Sequence, residues 1–83
     1  MRSVRLFGQA DRAFPRLAFW VQVDAHRRLR MIAASDEEHV PGTLSVVDGT
    51  RLRHFSVSGT LFTYSAPRPG DRTLWVLRIA RKR

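Results

Sequence analysis

The segment from residue 51 to residue 80 most constrains the fold of this 83-residue chain. It contains three runs rich in aromatic and β-branched residues, LRHFSV, TLFTYSA and TLWVLRIA. Ser58-Gly59 separates the first two runs, and the turn residues of 67–71 separate the last two. Strand formers bounded by turn residues predict consecutive antiparallel strands. A further strand at 43–47, joined through a turn at Asp48-Gly49, extends this predicted sheet to four strands.

The same part of the chain contains most of its positive charge. The formal net charge is +8, and fourteen of the fifteen cationic side chains are arginines. Residues 51–83 include eight cations and one acid, Asp71, whereas the first fifty residues are nearly balanced. Guanidinium groups form bidentate hydrogen bonds with phosphate and carboxylate. A basic sheet of this kind predicts a polyanion or an acidic protein as partner.

The first half of the chain permits two interpretations. Residues 2–7 alternate polar and apolar side chains and predict a short first strand. Apolar residues then follow at the spacing of one helical face, at Ala10, Phe14, Leu17 and Val21. Pro15 argues against a continuous helix there. The alternative is a strand at Leu17–Val23, because AFWVQV is rich in strand formers. This strand would belong to a hairpin, because VDAHRRLR (23–30) is similar to VDGTRLR (47–53), which contains a predicted turn.

Asp24 is a candidate N-cap for a second helix that buries Ala25, Leu29, Ile32 and Ala33. The helical interpretation predicts a single α+β domain with an N-terminal strand, one or two short helices and an antiparallel sheet of three or four strands. In the last strand, Trp75, Leu77 and Ile79 are expected to face the core.

If residues 17–34 form a hairpin instead, the prediction is a small all-β barrel that binds nucleic acid without catalysis. The candidates for base stacking beside arginines are then Phe7, Trp20, Phe55, Phe62, Tyr64 and Trp75.

Composition excludes several other classes. The chain has no cysteine, so neither a disulfide framework nor a thiolate metal site is expected. Its three histidines show no metal-ligand spacing, and no glycine loop or nucleophile motif suggests a cofactor. No apolar run approaches the ~20 residues of a membrane span, and the first residues lack a signal-peptide hydrophobic region. We therefore expect a cytoplasmic protein without metal, cofactor or membrane partner.

In this order of elements the chain resembles the RelE/ParE superfamily of bacterial toxin–antitoxin toxins. SVRLF is similar to the first strand of that family, and the spacing of Ala10, Phe14, Leu17 and Trp20 to its first helix. The resemblance is clearest over residues 51–83, where LRHFSVSGTLFTY and LWVLRIARKR resemble its later strands and basic end. It departs from the family at Pro15 and in lacking an arginine before Tyr64.

The resemblance implies a toxin that either cleaves messenger RNA on the ribosome or poisons DNA gyrase, and that an acidic antitoxin neutralises. Cleavage by attack of the 2′-oxygen needs a base and cations around the phosphate. The candidate catalytic residues are His54, Arg53, Arg78 and Arg81. The candidate residues for binding nucleic acid or a partner are Arg51, Arg53, Tyr64, Arg78, Arg81, Lys82 and Arg83. We expect Arg53, Arg78 and Arg81 to form one cationic patch.

Overall fold

The protein folds as an open five-stranded sheet with helices packed on one face. The structure is a computed structural model, and it describes residues 2–35, 40, 42–47 and 51–81. Its elements in chain order are β1 (Ser3–Leu6), α1 (Gln9–Ala13), a 3₁₀ turn (Phe14–Arg16), α2 (Phe19–Ala34), β2 (Leu44–Ser45), β3 (Leu52–Val57), β4 (Thr60–Ser65) and β5 (Thr73–Arg81). The predicted α+β class is confirmed. Most of the disputed segment 17–34 is helix α2, and the open sheet rules out the barrel.

The strand order of the sheet is β1-β5-β4-β3-β2. Strands β2 to β5 are antiparallel neighbours, as the sequence predicts. Strand β1 joins the same sheet, parallel to β5, with Ser3 beside Thr73 and Leu6 beside Val76. Parallel strands need a long crossover connection. The two helices follow β1 in the chain and form part of the connection between β1 and its parallel neighbour β5.

The turn between β3 and β4 has the conformation that its sequence predicts. Ser58 and Gly59 have φ angles of 47° and 77°, and the flanking residues Val57 and Thr60 are paired. Two central residues with positive φ are typical of the type I′ hairpin turn, whose twist matches that of the strands. The predicted turn at Asp48-Gly49 and most of the acidic segment 35–42 lie outside the described residues.

The helical region is interrupted around Pro15, whereas the apolar spacing predicts one helical face from Ala10 to Val21. Helix α1 ends at Ala13, and Pro15 lies in the first turn of the 3₁₀ segment, where its missing N–H costs little. Helix α2 then begins at Phe19 and continues for 16 residues. Asp24 lies inside α2, so its predicted role as N-cap is wrong. A continuous buried face, rather than a capping side chain, defines this helix.

The core lies between α2 and one face of the sheet. Helix α2 contributes the buried residues Val21, Ala25, Leu29, Ile32 and Ala33. The sheet contributes alternate residues of three strands, with Phe55 and Phe62 stacked at a ring-centroid distance of 5.1 Å. Because successive strand residues point to opposite faces, the remaining strand residues form a second face.

A β-bulge in β5 changes which residues of that strand face the core. Thr63 pairs with Arg78 and Tyr64 pairs with Val76, so Leu77 is an extra residue. Before the bulge Leu74 and Val76 are fully buried, and after it Ile79 is buried. The prediction that Trp75, Leu77 and Ile79 share the core face is therefore wrong for Trp75, which is 41% exposed, and for Leu77, which is half-buried.

Candidate nucleic-acid interface

No described helix packs against the second face of the sheet, which we call the open face. Strand alternation places the following outward-facing residues on it: Arg5, Phe7, Leu44, Leu52, His54, Leu61, Thr63, Trp75 and Arg78. None of the five strands contains Asp or Glu. The open face thus combines apolar surface with cationic side chains and has no carboxylate on its strands, which is the electrostatic pattern of a polyanion-binding surface.

Two of the predicted catalytic residues lie on the open face in one cross-strand row. His54 of β3 pairs with Thr63 of β4, and Thr63 pairs with Arg78 of β5. With neighbouring strands about 4.8 Å apart, the Cα atoms of His54 and Arg78 are about 10 Å from each other. His54 and Arg78 therefore flank Thr63 on this face. His54 is half-buried and Arg78 is exposed.

An aromatic pair lies on the same face beside this row. The rings of Phe7 and Trp75 meet edge to face, with centroids 6.2 Å apart, and their side chains are 61% and 41% exposed. Arg5 pairs with Trp75 across β1 and β5. Exposed aromatic rings next to arginines form the stacking surfaces on which single-stranded nucleic acids place their bases.

From the sequence, these aromatic residues are candidates for base stacking only under the all-β alternative, which the fold rules out. The α+β prediction assigns Trp75 to the core, and neither interpretation selects Arg5. The pairing of β1 with β5 is what brings Arg5 and Phe7 beside Trp75.

Arg53 has a structural role instead of the predicted catalytic one. Its residue is 5% exposed and its guanidinium group lies on the helix side of the sheet. Nε donates to Thr43 Oγ1 at 3.1 Å, Nη1 donates to Ser45 Oγ at 3.0 Å, and Nη2 donates to the Thr43 carbonyl oxygen and to Thr43 Oγ1, both at 2.9 Å. These donors are therefore used inside the protein, and Arg53 is not available to a ligand.

Three other predicted binding residues are also placed by the structure. Arg51 is half-buried, and its Nη2 donates to the Ala66 carbonyl oxygen at 2.9 Å. Tyr64 is 1% exposed and its ring lies 6.2 Å from that of Phe55, so it belongs to the core and cannot contact nucleic acid. Arg81 pairs with Thr60 at the end of β5, on the helix side of the sheet. Lys82 and Arg83 lie outside the described residues.

The expected patch of Arg53, Arg78 and Arg81 is therefore wrong. Arg78 lies on the open face, Arg53 is buried, and Arg81 lines a cleft beside α1. The physical cause is strand parity. Arg78 and Arg81 are three residues apart in β5 and therefore lie on opposite faces, and Arg53 lies on the core face beside Tyr64.

Comparison with known proteins identifies no family. No protein-family model matches the chain, and neither the curated proteins nor the solved structures contain a significant match. Across the part of the chain that the structure describes, no helix is long and apolar enough to span a membrane. Function must therefore be inferred from the site itself.

Proposed function

We propose that the protein is a toxin of the RelE/ParE type that acts on RNA at its open face, and that an acidic antitoxin neutralises it by covering this face. The single observation on which the proposal rests is the row of His54, Thr63 and Arg78. It puts His54 and Arg78 on either side of Thr63, on a sheet whose five strands contain no carboxylate. The observed order of strand, two helices and antiparallel strands, on which the resemblance rests, supports the same proposal.

In this proposal, the 2′-oxygen of a bound nucleotide attacks the adjacent phosphorus. His54 accepts the proton of the 2′-hydroxyl group as general base. Arg78 stabilises the negative charge that develops on the phosphate oxygens, and the Thr63 hydroxyl donates a hydrogen bond to one of them. The 5′-oxygen leaves with a proton from water, since the face is open to solvent. The products are a 2′,3′-cyclic phosphate and a 5′-hydroxyl end.

Substitution of the two residues in the row tests the catalytic part of the proposal. We expect His54→Ala to lower the rate of messenger RNA cleavage on ribosomes by about 10²–10⁴-fold, because the general base is lost. Arg78→Ala should lower it by about 10²-fold or more, because one donor to the transition state is lost. The matched control is Arg30→Ala, which removes an exposed arginine of α2 on the helix side.

Cleavage is measured by primer extension on a translated message, and toxicity by growth arrest with and without co-expressed antitoxin. Full cleavage activity in both His54→Ala and Arg78→Ala would exclude this row as the catalytic centre. Growth arrest without RNA cleavage, sensitive to Arg78→Ala but not to His54→Ala, would indicate a gyrase poison that uses the face to bind protein. Expression of the folded protein without growth arrest would count against a toxin function of either kind.

The Phe7–Trp75 pair favours a second candidate, a single-stranded nucleic-acid-binding protein without catalysis. Stacking on an aromatic ring contributes about 1–3 kcal/mol per base. Trp75→Ala should therefore weaken binding of a single-stranded oligonucleotide about fivefold to hundredfold without changing its salt dependence. Arg78→Ala should instead reduce the slope of log K against log salt by about 0.7, because one phosphate contact is lost. Equal affinity and equal slope in both variants would remove the open face from nucleic-acid binding.

A further inference from the structure

A second cationic site lies on the helix side of the sheet, in a cleft of about 610 Å³. Helix α1, the 3₁₀ turn and the start of α2 form one wall of the cleft, and the start of β4 and the end of β5 form the other. The lining residues that matter here are Arg12, Arg16, Trp20, Thr60, Ile79 and Arg81. The cleft is separate from the open face, so a ligand can bind in it whether or not that face cleaves RNA.

The cleft exists because β1 is shorter than β5. Strand β1 ends at Leu6, opposite Val76, so the last residues of β5 have no described strand on that side. The side chain of Gln9 takes the place of a strand there: its Nε2 donates to the Ile79 carbonyl oxygen at 2.7 Å, and its Oε1 accepts from the Ile79 N–H at 2.8 Å. Gln9 thereby holds α1 against the sheet and fixes the width of the cleft.

Three arginine residues line this space from two sides. Arg12 and Arg16 are four residues apart across α1 and the 3₁₀ turn, and Arg81 comes from β5 opposite them. No carboxylate of the described residues lines the cleft, and none of the three guanidinium groups has a hydrogen-bond or ion-pair partner among those residues. Like charges held together without a counter-charge destabilise the free protein, and a bound anion removes that cost.

The remaining lining selects the kind of anion. Ala13, Leu17 and Ile79 form an apolar floor, the Thr60 hydroxyl can donate a hydrogen bond, and the Trp20 side chain is 58% exposed at the rim. The volume is within the range of small-ligand pockets, about 300–1,000 Å³. A ligand that uses all of these features has several negative charges next to a planar ring.

We propose that this cleft binds the terminal phosphate of a nucleotide, with the base stacked on Trp20. A terminal phosphate has a charge of about −1.5 to −2 at neutral pH, whereas a diester within a strand has a charge of −1. Three arginines therefore favour a strand end or a free nucleotide over the interior of a strand. Both sources present the same chemistry, a 5′-phosphate attached to a nucleoside.

Isothermal titration calorimetry of the full chain distinguishes these sources. The probes are AMP, ATP, adenosine and two oligonucleotides of one sequence, with a 5′-phosphate or a 5′-hydroxyl end. We expect the 5′-phosphorylated oligonucleotide to bind at least about tenfold more tightly than the 5′-hydroxyl form, since charge-assisted hydrogen bonds depend on the terminal phosphate. Binding of AMP or ATP without adenosine binding indicates a free nucleotide site. Phosphate-dependent binding of the oligonucleotide alone indicates recognition of a strand end.

Variants locate the binding. Arg12→Ala, Arg16→Ala and Arg81→Ala should each weaken phosphate-dependent binding about tenfold or more. Trp20→Ala should weaken it about fivefold to hundredfold, and Trp20→Phe should retain most of the affinity. The control is Arg30→Ala, which should change nothing, and a circular dichroism melt shows that each variant is folded.

Two results would overturn the proposal. One is equal affinity for the two oligonucleotides with no binding of AMP or ATP. The other is that a polyglutamate peptide binds more tightly than ATP and loses its affinity in the same arginine variants, which would make the cleft a site for an acidic protein.

Discussion

Arg53→Lys separates a structural arginine from a functional one. The substitution retains the positive charge but replaces the planar guanidinium fork with an ammonium group, which cannot reproduce the fork's geometry. In the folded protein Arg53 makes four hydrogen bonds, to Thr43 Oγ1, to the Thr43 carbonyl oxygen and to Ser45 Oγ. Lysine can replace about half of these, so buried acceptors of Thr43 are left without a donor.

The expected loss of stability follows from those bonds. Two lost hydrogen bonds from a charged donor, at about 1.5 kcal/mol each, lower the free energy of unfolding by about 3 kcal/mol. A domain of this size has a total of about 4–12 kcal/mol. Each kcal/mol shifts Tm by about 4–8 °C, so we expect Tm to fall by more than about 10 °C. Arg53→Ala, which also leaves a cavity, should fall further.

Thermal melts followed by circular dichroism measure this effect, and Arg78→Lys is the matched control. Arg78 is exposed on the open face, and its guanidinium group has no hydrogen-bond partner among the described residues. Arg78→Lys should therefore change the free energy of unfolding by no more than an ordinary surface substitution, about 0.5 kcal/mol. If Arg53→Lys melts together with Arg78→Lys, the buried network does not stabilise the fold. Loss of activity in Arg53 variants would then be a functional effect.

Three further predictions concern stability alone and are measured by denaturant unfolding. Leu74→Ala should lower the free energy of unfolding by about 2–5 kcal/mol, because Leu74 is fully buried. Trp75→Ala should lower it by only about 1 kcal/mol, because it removes one exposed edge-to-face contact. Equal losses in the two variants would contradict the position of the bulge. Gly59→Ala should lower the free energy of unfolding by about 1–2 kcal/mol because of the positive φ angle at this position. An added Cβ would have no atom within 4 Å, so steric contact contributes nothing to this loss. An unchanged stability would argue against the type I′ turn. Gln9→Glu should lower the free energy of unfolding by about 1–3 kcal/mol, because a carboxylate cannot donate a hydrogen bond to the Ile79 carbonyl oxygen. An unchanged stability would mean that Gln9 does not hold α1 to the sheet.

The strands and turns of the second half can be predicted because their signals are local. The sequence predicts β3 at residues 51–57 and β4 at 60–66, and the strands are found at Leu52–Val57 and Thr60–Ser65. A two-residue turn with glycine defines the register of the hairpin by itself. The parallel pairing of β1 with β5 cannot be predicted in this way, because the residues it joins lie at opposite ends of the chain.

The face of Trp75 is mispredicted for a similar reason. Alternation in TLWVLRIA is compatible with either face, and the large apolar residues Trp75, Leu77 and Ile79 make one choice look favourable. An extra residue at Leu77 lets Leu74 and Val76 enter the core before it and Ile79 after it. The bulge depends on pairing with β4, and no residue in the strand indicates it. As a result the α+β prediction does not place an aromatic pair on the open face.

Hydrogen-bond partners sort the arginines of the sheet in a way that composition cannot. Arg53 is buried on the helix side, where the β2–β3 pairing brings it the oxygens of Thr43 and Ser45. Arg81 lies on the same side but beyond the end of β1, where no described residue accepts a hydrogen bond from its guanidinium group. Arg78 lies on the open face, and its guanidinium group likewise has no partner in the described part of the chain. A structural arginine has its donors used within the fold. Within the sheet, the guanidinium groups of Arg78 and Arg81 are therefore available to an anion, whereas that of Arg53 is not.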